Sequence, residues 1–261
     1  MEISGKNVVV TGGGNGIGKA LCERFATEGA ARVTVVDLDL ENASRVAEVI
    51  GGTARRVDVA NRDEITTLVE EVERDAGPID LFVSNAGIAI EGGAEVDVDA
   101  WNTIWGVNVM AHIHAAHAVL PGMLERGEGY LLNTCSAAGL LSQIGSAPYA
   151  VTKHAAVAFA EWISITYGDR GIKVSVLCPQ AVRTNMTAAM EDGGVAGVDG
   201  MIEPEELADV VIPGLQEESF LILPHESVRT YYARKGQDID RWIKGMRRLQ
   251  AQYGADAMRV D

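Results

Sequence analysis

The sequence Asn7-Val-Val-Val-Thr-Gly-Gly-Gly-Asn-Gly-Ile-Gly18 joins an apolar run to a glycine-rich turn. The β-branched valines favour a strand, and the pattern of Gly16–Glu28 after the turn predicts a helix. Glycines permit a tight turn and let backbone N–H groups approach a phosphate, and the helix N-terminus adds about half a positive charge. Glycine-rich loops also occur as plain turns, but a turn between a strand and a helix indicates a site for the pyrophosphate of a dinucleotide.

Working outward from this turn, short apolar runs alternate with longer helical patterns. The predicted strands are Asn7–Thr11, Arg32–Asp37, Ala54–Val57, Leu81–Ser84, Tyr130–Cys135, Lys173–Cys178 and Phe220–Leu223. The predicted helices between them are Gly16–Glu28, Asn42–Ile50, Arg62–Asp75, Val98–Leu124 and Tyr149–Tyr167. Strands that are almost wholly apolar are typical of a parallel sheet covered on both faces. The pattern predicts one α/β domain over 1–261, a doubly wound parallel sheet (Rossmann fold) of about seven strands with helices on both faces.

Two segments depart from this alternation. The stretch of about 187–203 is rich in Gly, Ala, Met and acidic residues and follows the sixth predicted strand. Long irregular segments in compact domains tend to be lids or binding loops, so we expect a substrate loop here. The residues from about 225 to 261 are polar and predict a helical C-terminal extension.

Composition excludes several classes of function. The chain of 261 residues carries a net charge of −15, which argues against binding to nucleic acid or to an anionic membrane surface. One basic cluster, Arg241, Lys244, Arg247 and Arg248, is expected to be a solvated helical face. The N-terminus lacks the pattern of a signal peptide, and no apolar run approaches the ~20 residues of a membrane span. We therefore expect a cytoplasmic protein without a nucleic-acid or membrane partner.

An acidic residue ends the second predicted strand. Asp37 lies 19 residues after Gly18, where a carboxylate can accept hydrogen bonds from both ribose hydroxyls of adenosine. The same carboxylate would repel a 2′-phosphate, and Asn15 and Leu38 stand where a cation would help to bind one. The sequence therefore predicts NAD rather than NADP as the cofactor.

These and later motifs resemble the short-chain dehydrogenase/reductase family, from about Lys6 to Leu223. Thr11-Gly12-x-x-x-Gly16-x-Gly18 is similar to the family's cofactor loop, and Asn85-Ala86-Gly87 to its turn after the fourth strand. The catalytic tetrad is matched in order and spacing by Asn108, Ser136, Tyr149 and Lys153. The cofactor-binding residues that the resemblance implies are Gly12, Gly14, Asn15, Gly16, Ile17, Gly18, Asp37, Leu38, Asp58, Val59, Asn85, Ala86, Gly87, Tyr149, Lys153, Pro179, Val182 and Thr184.

The chemistry of the tetrad follows from its residue types. Tyr149 and Lys153 are four residues apart on a predicted helix, so their side chains share one face. A tyrosine hydroxyl is a poor base at neutral pH, and a nearby ammonium stabilises its phenolate form. Ser136 can donate a hydrogen bond to the substrate oxygen. By resemblance, Lys153 also binds the nicotinamide ribose, and Asn108 holds a water where the long helix is kinked.

Each of these residues also has a structural interpretation when taken alone. A Tyr-x-x-x-Lys pair is common on helix surfaces, Ser136 can be a helix cap, and Asn108 can be a structural asparagine. Their joint occurrence behind a cofactor loop favours an enzyme that transfers hydride between NAD(H) and a secondary alcohol or ketone. His112, His114 and His117 favour packing over metal binding, because no cysteine or acidic cluster accompanies them, and we predict no metal.

The substrate side departs from the family pattern at one point. The Pro-Gly that usually follows the sixth strand is Pro179-Gln180 here, which changes the pocket beside nicotinamide. The predicted substrate-binding residues are Ser136, Gln143, Tyr149, Gln180, Met186 and Met190. Mostly apolar residues in this region favour a lipophilic, alicyclic or aromatic substrate.

The resemblance also implies a homotetramer, or a homodimer, formed through the helices of Asn102–Leu124 and Tyr149–Tyr167. Three other functions remain as alternatives. An NADPH-dependent ketoacyl reductase is disfavoured by Asp37, and a non-catalytic dinucleotide-sensing module by Tyr149 and Lys153. A methyltransferase on a related sheet is disfavoured by the same pair and by the Asn85-Ala86-Gly87 turn.

Overall fold

The apolar runs form the strands of one sheet. The computed structural model describes residues 1–188 and 192–253. Its strands are β1 (Asn7–Thr11), β2 (Arg32–Asp37), β3 (Thr53–Arg56), β4 (Leu81–Ser84), β5 (Gly129–Thr134), β6 (Ile172–Leu177) and β7 (Leu221–Ile222). They lie in the order β3-β2-β1-β4-β5-β6-β7, and every neighbouring pair is parallel. The predicted seven-stranded, doubly wound α/β fold is confirmed.

Helices cover both faces of this sheet. They are α1 (Gly16–Thr27), α2 (Leu40–Ile50), α3 (Arg62–Ala76), α4 (Val98–Trp105), α5 (Ala111–Arg126), α6 (Ala147–Tyr167), α7 (Pro204–Gln216), α8 (Ser227–Gln237) and α9 (Ile239–Tyr253). Because side chains alternate along a strand, Val9 faces the core under α3, α5 and α6, whereas Val8 and Val10 face the core under α1, α2 and α7. In the described part of the chain, no helix is both long enough and apolar enough to span a membrane.

Several element boundaries differ from the sequence predictions by one or two residues, and three of the differences concern the sheet edges and the site. The strand predicted at Ala54–Val57 begins one residue earlier, as the polar edge strand β3. The helix predicted over Val98–Leu124 is interrupted by a π-helical turn at Gly106–Met110. The last strand is shorter than predicted, with only Leu221 and Ile222 paired to β6. The first and last differences concern the two edges of the sheet, where a strand has a partner on one side only.

The topology fixes where a ligand can bind. β1 pairs with β2 on one side and with β4 on the other, so the strand order reverses between β1 and β4. In open α/β sheets, ligands bind at such a reversal, outside the carboxyl ends of the strands. The glycine-rich turn after β1 and the Asn85-Ala86-Gly87 turn after β4 both lie at this edge.

The packing of α1 against the glycine-rich turn generates a stability prediction. A Cβ atom at Gly18 would lie 2.0 Å from the carbonyl oxygen of Gly12, so Gly18→Ala must push α1 away from the turn. We expect the free energy of unfolding to fall by about 2–3 kcal/mol, and the Tm by roughly 5–10 °C. Differential scanning calorimetry measures both.

A matched control is Gly168→Ala, at the end of α6. Gly168 has a φ of −57° and open space around its Cβ position, so alanine fits there without strain. The Tm of this variant should stay close to that of the unmodified protein. An unchanged Tm for Gly18→Ala would contradict the close packing of helix and turn.

Candidate active site

A large cavity opens at the carboxyl edge of the sheet, beside the reversal of strand order. Its volume is about 1480 Å³. Pockets for one small molecule usually measure roughly 300–1,000 Å³, so this cavity has room for a cofactor and a substrate together. The predicted cofactor-binding residues that line it are Gly12, Asn15, Gly16, Ile17, Gly18, Asp37, Leu38, Asp58, Val59, Asn85, Ala86, Gly87, Tyr149, Lys153, Pro179, Val182 and Thr184.

The turn after β4 is fastened to the end of β1. Thr11 Oγ1 accepts hydrogen bonds from the backbone N–H groups of Asn85 (3.0 Å) and Ala86 (3.2 Å), and the Asn85 amide donates to the Thr11 carbonyl (3.0 Å). Gly12 has a φ of +63°, and a Cβ there would lie 2.9 Å from Ala86 Cα. Only glycine lets the two turns meet this closely, which leaves a narrow floor that fits a pyrophosphate.

Asp37 and Gly14 form one unit behind this floor. The Gly14 N–H donates to Asp37 Oδ2 (2.9 Å), and the Asp39 N–H donates to Asp37 Oδ1 (3.0 Å). Gly14 is buried and does not line the cavity. Its role in the site is to hold the Asp37 carboxylate through this hydrogen bond. Both carboxylate oxygens of Asp37 keep further lone pairs at the rim, where Leu38 is 60% exposed. This end of the cavity therefore fits the ribose of an adenosine.

Three residues of the predicted tetrad line this cavity. Ser136 follows β5, and Tyr149 and Lys153 lie one turn apart on α6. The Lys153 ammonium lies 5.6 Å from the centre of the Tyr149 ring and donates to the carbonyl of Thr134 (3.0 Å). Ser136 Oγ accepts from the Ala138 N–H (3.1 Å), so this serine caps a short turn and also faces the cavity.

Asn108 lies behind the cavity rather than in its wall. It is fully buried in the π-helical turn between α4 and α5. Its side-chain oxygen accepts from the Ile88 N–H (2.9 Å), and its amide donates to the Ile88 carbonyl (2.9 Å) and to Thr152 Oγ1 (3.2 Å). The side chain thus joins the segment after β4 to α6, the helix that carries Tyr149.

The histidines near this site do not form a metal centre. His112 is buried against Asn133, 2.9 Å from its side-chain oxygen. Burial, and to a lesser degree the charge of Lys153, lowers the pKa of His112 to about 4, so its ring is neutral at physiological pH. Within residues 1–188 and 192–253, no group of three or more His, Cys, Asp or Glu side chains is arranged to hold a metal ion.

Five of the six predicted substrate-binding residues line the cavity: Ser136, Gln143, Tyr149, Gln180 and Met186. The sixth, Met190, lies outside the described residues. Gln180 is tied to the C-terminal part of the chain: its side-chain oxygen lies 3.2 Å from Ser227 Oγ, a hydroxyl that it shares with Asp199, and its backbone N–H donates to His225 Nδ1 (3.2 Å). The bulky amide that replaces the usual glycine therefore joins β6 to α8.

Sequence reasoning missed one whole wall of the cavity. This wall is built by α8, α9 and the residues between them: Tyr231, Arg234, Gln237, Asp238, Arg241, Trp242, Gly245, Met246, Arg248, Leu249 and Tyr253. The spacing of Trp242, Met246 and Leu249 marks an apolar stripe on a helix and could have signalled a buried face. The sequence does not reveal what that stripe would cover.

Comparisons with known proteins agree with this geometry. The chain is 33% identical to meso-2,3-butanediol dehydrogenase of Serratia marcescens over 191 residues, which is 72% of this chain and 75% of that protein. It is 31% identical to 1-deoxy-11-beta-hydroxypentalenate dehydrogenase of Streptomyces exfoliatus over 255 residues, covering 93% and 91% of the two chains. Among solved structures, a short chain dehydrogenase/reductase of Burkholderia phymatum in complex with NAD superimposes with a TM-score of 0.83, at 26% identity and covering 92% of this chain and 96% of that one. Residues 6–193 match the sequence profile of the short chain dehydrogenases, and the protein belongs to this family of oxidoreductases.

Proposed function

We propose that the protein is an NAD-dependent dehydrogenase that interconverts a secondary alcohol and a ketone. The observation that carries the proposal is the meeting of Ser136, Tyr149 and Lys153 in one cavity that continues to the glycine-rich turn. The alcohol dehydrogenases among its relatives support the same reaction class. A non-catalytic sensing module would have no need for a buried ammonium beside a tyrosine.

The residues of the cavity suit NAD. The turn of Gly12–Gly18 would hold the pyrophosphate at the N-terminus of α1, and Asp37 would bind the adenosine ribose. By the family pattern, Asp58 and Val59 would contact adenine, Lys153 the nicotinamide ribose, and Pro179, Val182 and Thr184 the carboxamide. When bound, NAD+ would supply the hydride acceptor that the chain itself lacks.

The chain's own residues would then handle the proton. In oxidation, the Ser136 hydroxyl donates to the substrate oxygen and holds it beside Tyr149. The phenolate oxygen of Tyr149 takes the proton from the alcohol oxygen, and hydride passes from the carbon that bears this oxygen to the cofactor. Lys153 stabilises the phenolate form and is itself oriented by the Thr134 carbonyl. Reduction of a ketone reverses these transfers. In this scheme Asn108 is a positioning residue, because its described contacts are to Ile88 and Thr152.

Assembly belongs to the same proposal. Large apolar side chains are exposed on α6, including Trp162 and Ile165, the latter 78% exposed. Apolar surface of this kind is typical of an interface, and by family pattern we propose a cytoplasmic homotetramer, or a homodimer, with α4, α5 and α6 at the interface.

Removal of the Tyr149 hydroxyl tests the catalytic assignment. We expect Tyr149→Phe to lower kcat for any secondary alcohol by roughly 10²- to 10⁴-fold, because no other group takes the alcohol proton. NADH binding, measured by fluorescence titration, should change little. The control is Tyr232→Phe on α8, an exposed tyrosine that does not line the cavity. Turnover retained by Tyr149→Phe would remove this residue from the mechanism.

Cofactor choice is tested at Asp37. We expect the unmodified protein to bind NADH at least about tenfold more tightly than NADPH, because the Asp37 carboxylate repels a 2′-phosphate. Asp37→Asn should narrow this preference, since it removes the charge and keeps the shape. Asp169→Asn, at an exposed position after α6, is the matched control. Equal or tighter binding of NADPH to the unmodified protein would favour the ketoacyl reductase alternative.

Assembly is tested on the exposed face of α6. We expect Trp162→Glu to shift the sedimentation coefficient towards that of a monomer, because a charge replaces buried apolar area at the interface. Val49→Glu, at an exposed apolar position on α2, should leave sedimentation unchanged. A monomeric unmodified protein would refute the proposed assembly.

A further inference from the structure

The helices α8 and α9, residues 227–253, form an arm that is docked over the substrate end of the cavity. At one end, Ser227 Oγ and the Tyr231 hydroxyl donate to the two carboxylate oxygens of Asp199 (2.9 and 3.0 Å), in the predicted substrate loop. Farther along α8, the Lys235 ammonium donates to the Leu140 carbonyl (2.6 Å) and to His154 Nε2 (3.3 Å). Leu140 and His154 are near Ser136 and Lys153 in the chain. The contacts therefore fasten α8 beside the proposed reaction centre, and residues of α9 line the same cavity.

The face of α9 towards the cavity combines two kinds of side chain. Trp242, Met246 and Leu249 are half-buried and give it an apolar stripe. Arg241 and Arg248 also line the cavity, and they lie roughly two turns apart along one edge of this stripe. Arg234 of α8 lines the same cavity. The wall thus presents an apolar surface bordered by guanidinium groups.

In the part of the chain that the structure describes, none of these three arginines forms an ion pair with a carboxylate. Across residues 1–188 and 192–253, no ion pair includes Arg234, Arg241 or Arg248. Four carboxylates also line the cavity: Asp37 and Asp58 after β2 and β3, and Glu91 and Asp238. Asp238 lies just before α9, where its Oδ1 accepts a hydrogen bond from the backbone N–H of Arg241 (2.9 Å) rather than from its guanidinium group. In a chain with a net charge of −15, guanidinium groups on a cavity wall without such partners favour an anionic ligand.

We propose that the substrate is an amphiphile whose anionic group is bound by Arg241 and Arg248 while its apolar body lies along Trp242, Met246 and Leu249. A carboxylate suits the planar, forked donors of arginine. The inference rests on the proposed dehydrogenase function and narrows its substrate class. It also adds an anionic group to the lipophilic substrate that the sequence predicts, because that prediction did not include the residues of the arm.

Matched pairs of substrates test the inference. We would measure oxidation by NAD+ of medium-chain (ω−1)-hydroxy fatty acids and of their methyl esters, which share the secondary alcohol and differ in charge. The unmodified protein should favour the acids in kcat/KM by about tenfold, and added salt should reduce this preference by screening the exposed charges. In the double variant R241Q/R248Q the preference should largely disappear, through KM rather than kcat, because the anion binds away from the reacting carbon.

The adjacent residue supplies the control. Arg247 carries the same charge on the same helix but does not line the cavity, so Arg247→Gln should keep the preference for acids. An equal loss in Arg247→Gln would mean a general surface field and would overturn the inference. A weaker affinity of R241Q/R248Q for NADH, with the acid preference unchanged, would assign these arginines to cofactor phosphates and would also overturn it.

Failure of the inference can be told apart from failure of the proposed function. If the esters are oxidised as well as the acids at low salt, the dehydrogenase function stands and the anion site is refuted. If no alcohol is oxidised, the NADH complex is instead compared in thermal unfolding with decanoate and with methyl decanoate. Stabilisation by decanoate alone, lost in R241Q/R248Q, would support the anion site; equal or absent effects would refute it.

Discussion

The cavity is organised around one buried ammonium group. Lys153 is 3% exposed, and in the described part of the chain no carboxylate pairs with it. Burying a charge is costly unless polar groups compensate. The Thr134 carbonyl at the end of β5 and the ring of Tyr149 are placed to do so. The hydrogen bond from Lys153 to Thr134 holds α6 against the end of β5. Because Ser136 lies just after β5, the same contact places Ser136 and the residues of α6 in one region of the site.

Much of this arrangement follows from local patterns. The valines of β1 predict a buried strand, and the four-residue spacing of Tyr149 and Lys153 places them one turn apart on any helix. Parallel topology then brings the ends of β1, β4, β5 and β6 to one edge. The π-helical turn around Asn108 cannot be predicted from a local sequence pattern in this way. The side chain of Asn108 is held by hydrogen bonds to the backbone of Ile88, 20 residues earlier. The residue types of Gly106–Met110 are equally compatible with an uninterrupted α-helix.

The arm shows a second limit of sequence reasoning. The sequence predicts a polar helical extension with a solvated basic face, and Arg241, Lys244, Arg247 and Arg248 are indeed exposed on α9; what it does not predict is that this extension also lines the cavity. The docking of this extension depends on Leu140 and Gln180, which are remote in sequence and act through a backbone carbonyl and a side-chain amide. Neither the backbone carbonyl nor the side-chain amide produces a periodic pattern in the sequence from which the docking could be predicted. Gln180 departs from the family pattern, and the structure gives the departure a physical role in the contact with Ser227.

Charged side chains of opposite sign lie at the two ends of the cavity, one end proposed for the adenosine of the cofactor and the other for the substrate. Asp37 and Asp58 follow β2 and β3, at one edge of the sheet, whereas the arm docks beside the loops that follow β5 and β6. Carboxylates at the first end disfavour an extra phosphate on the adenosine ribose, and arginines at the second favour an anion on the substrate. In a strongly acidic chain, local placement rather than net charge therefore decides which anions can enter and where they bind. The arm contributes the cationic half of this separation, so the proposed substrate preference rests on residues beyond the matched family region of 6–193.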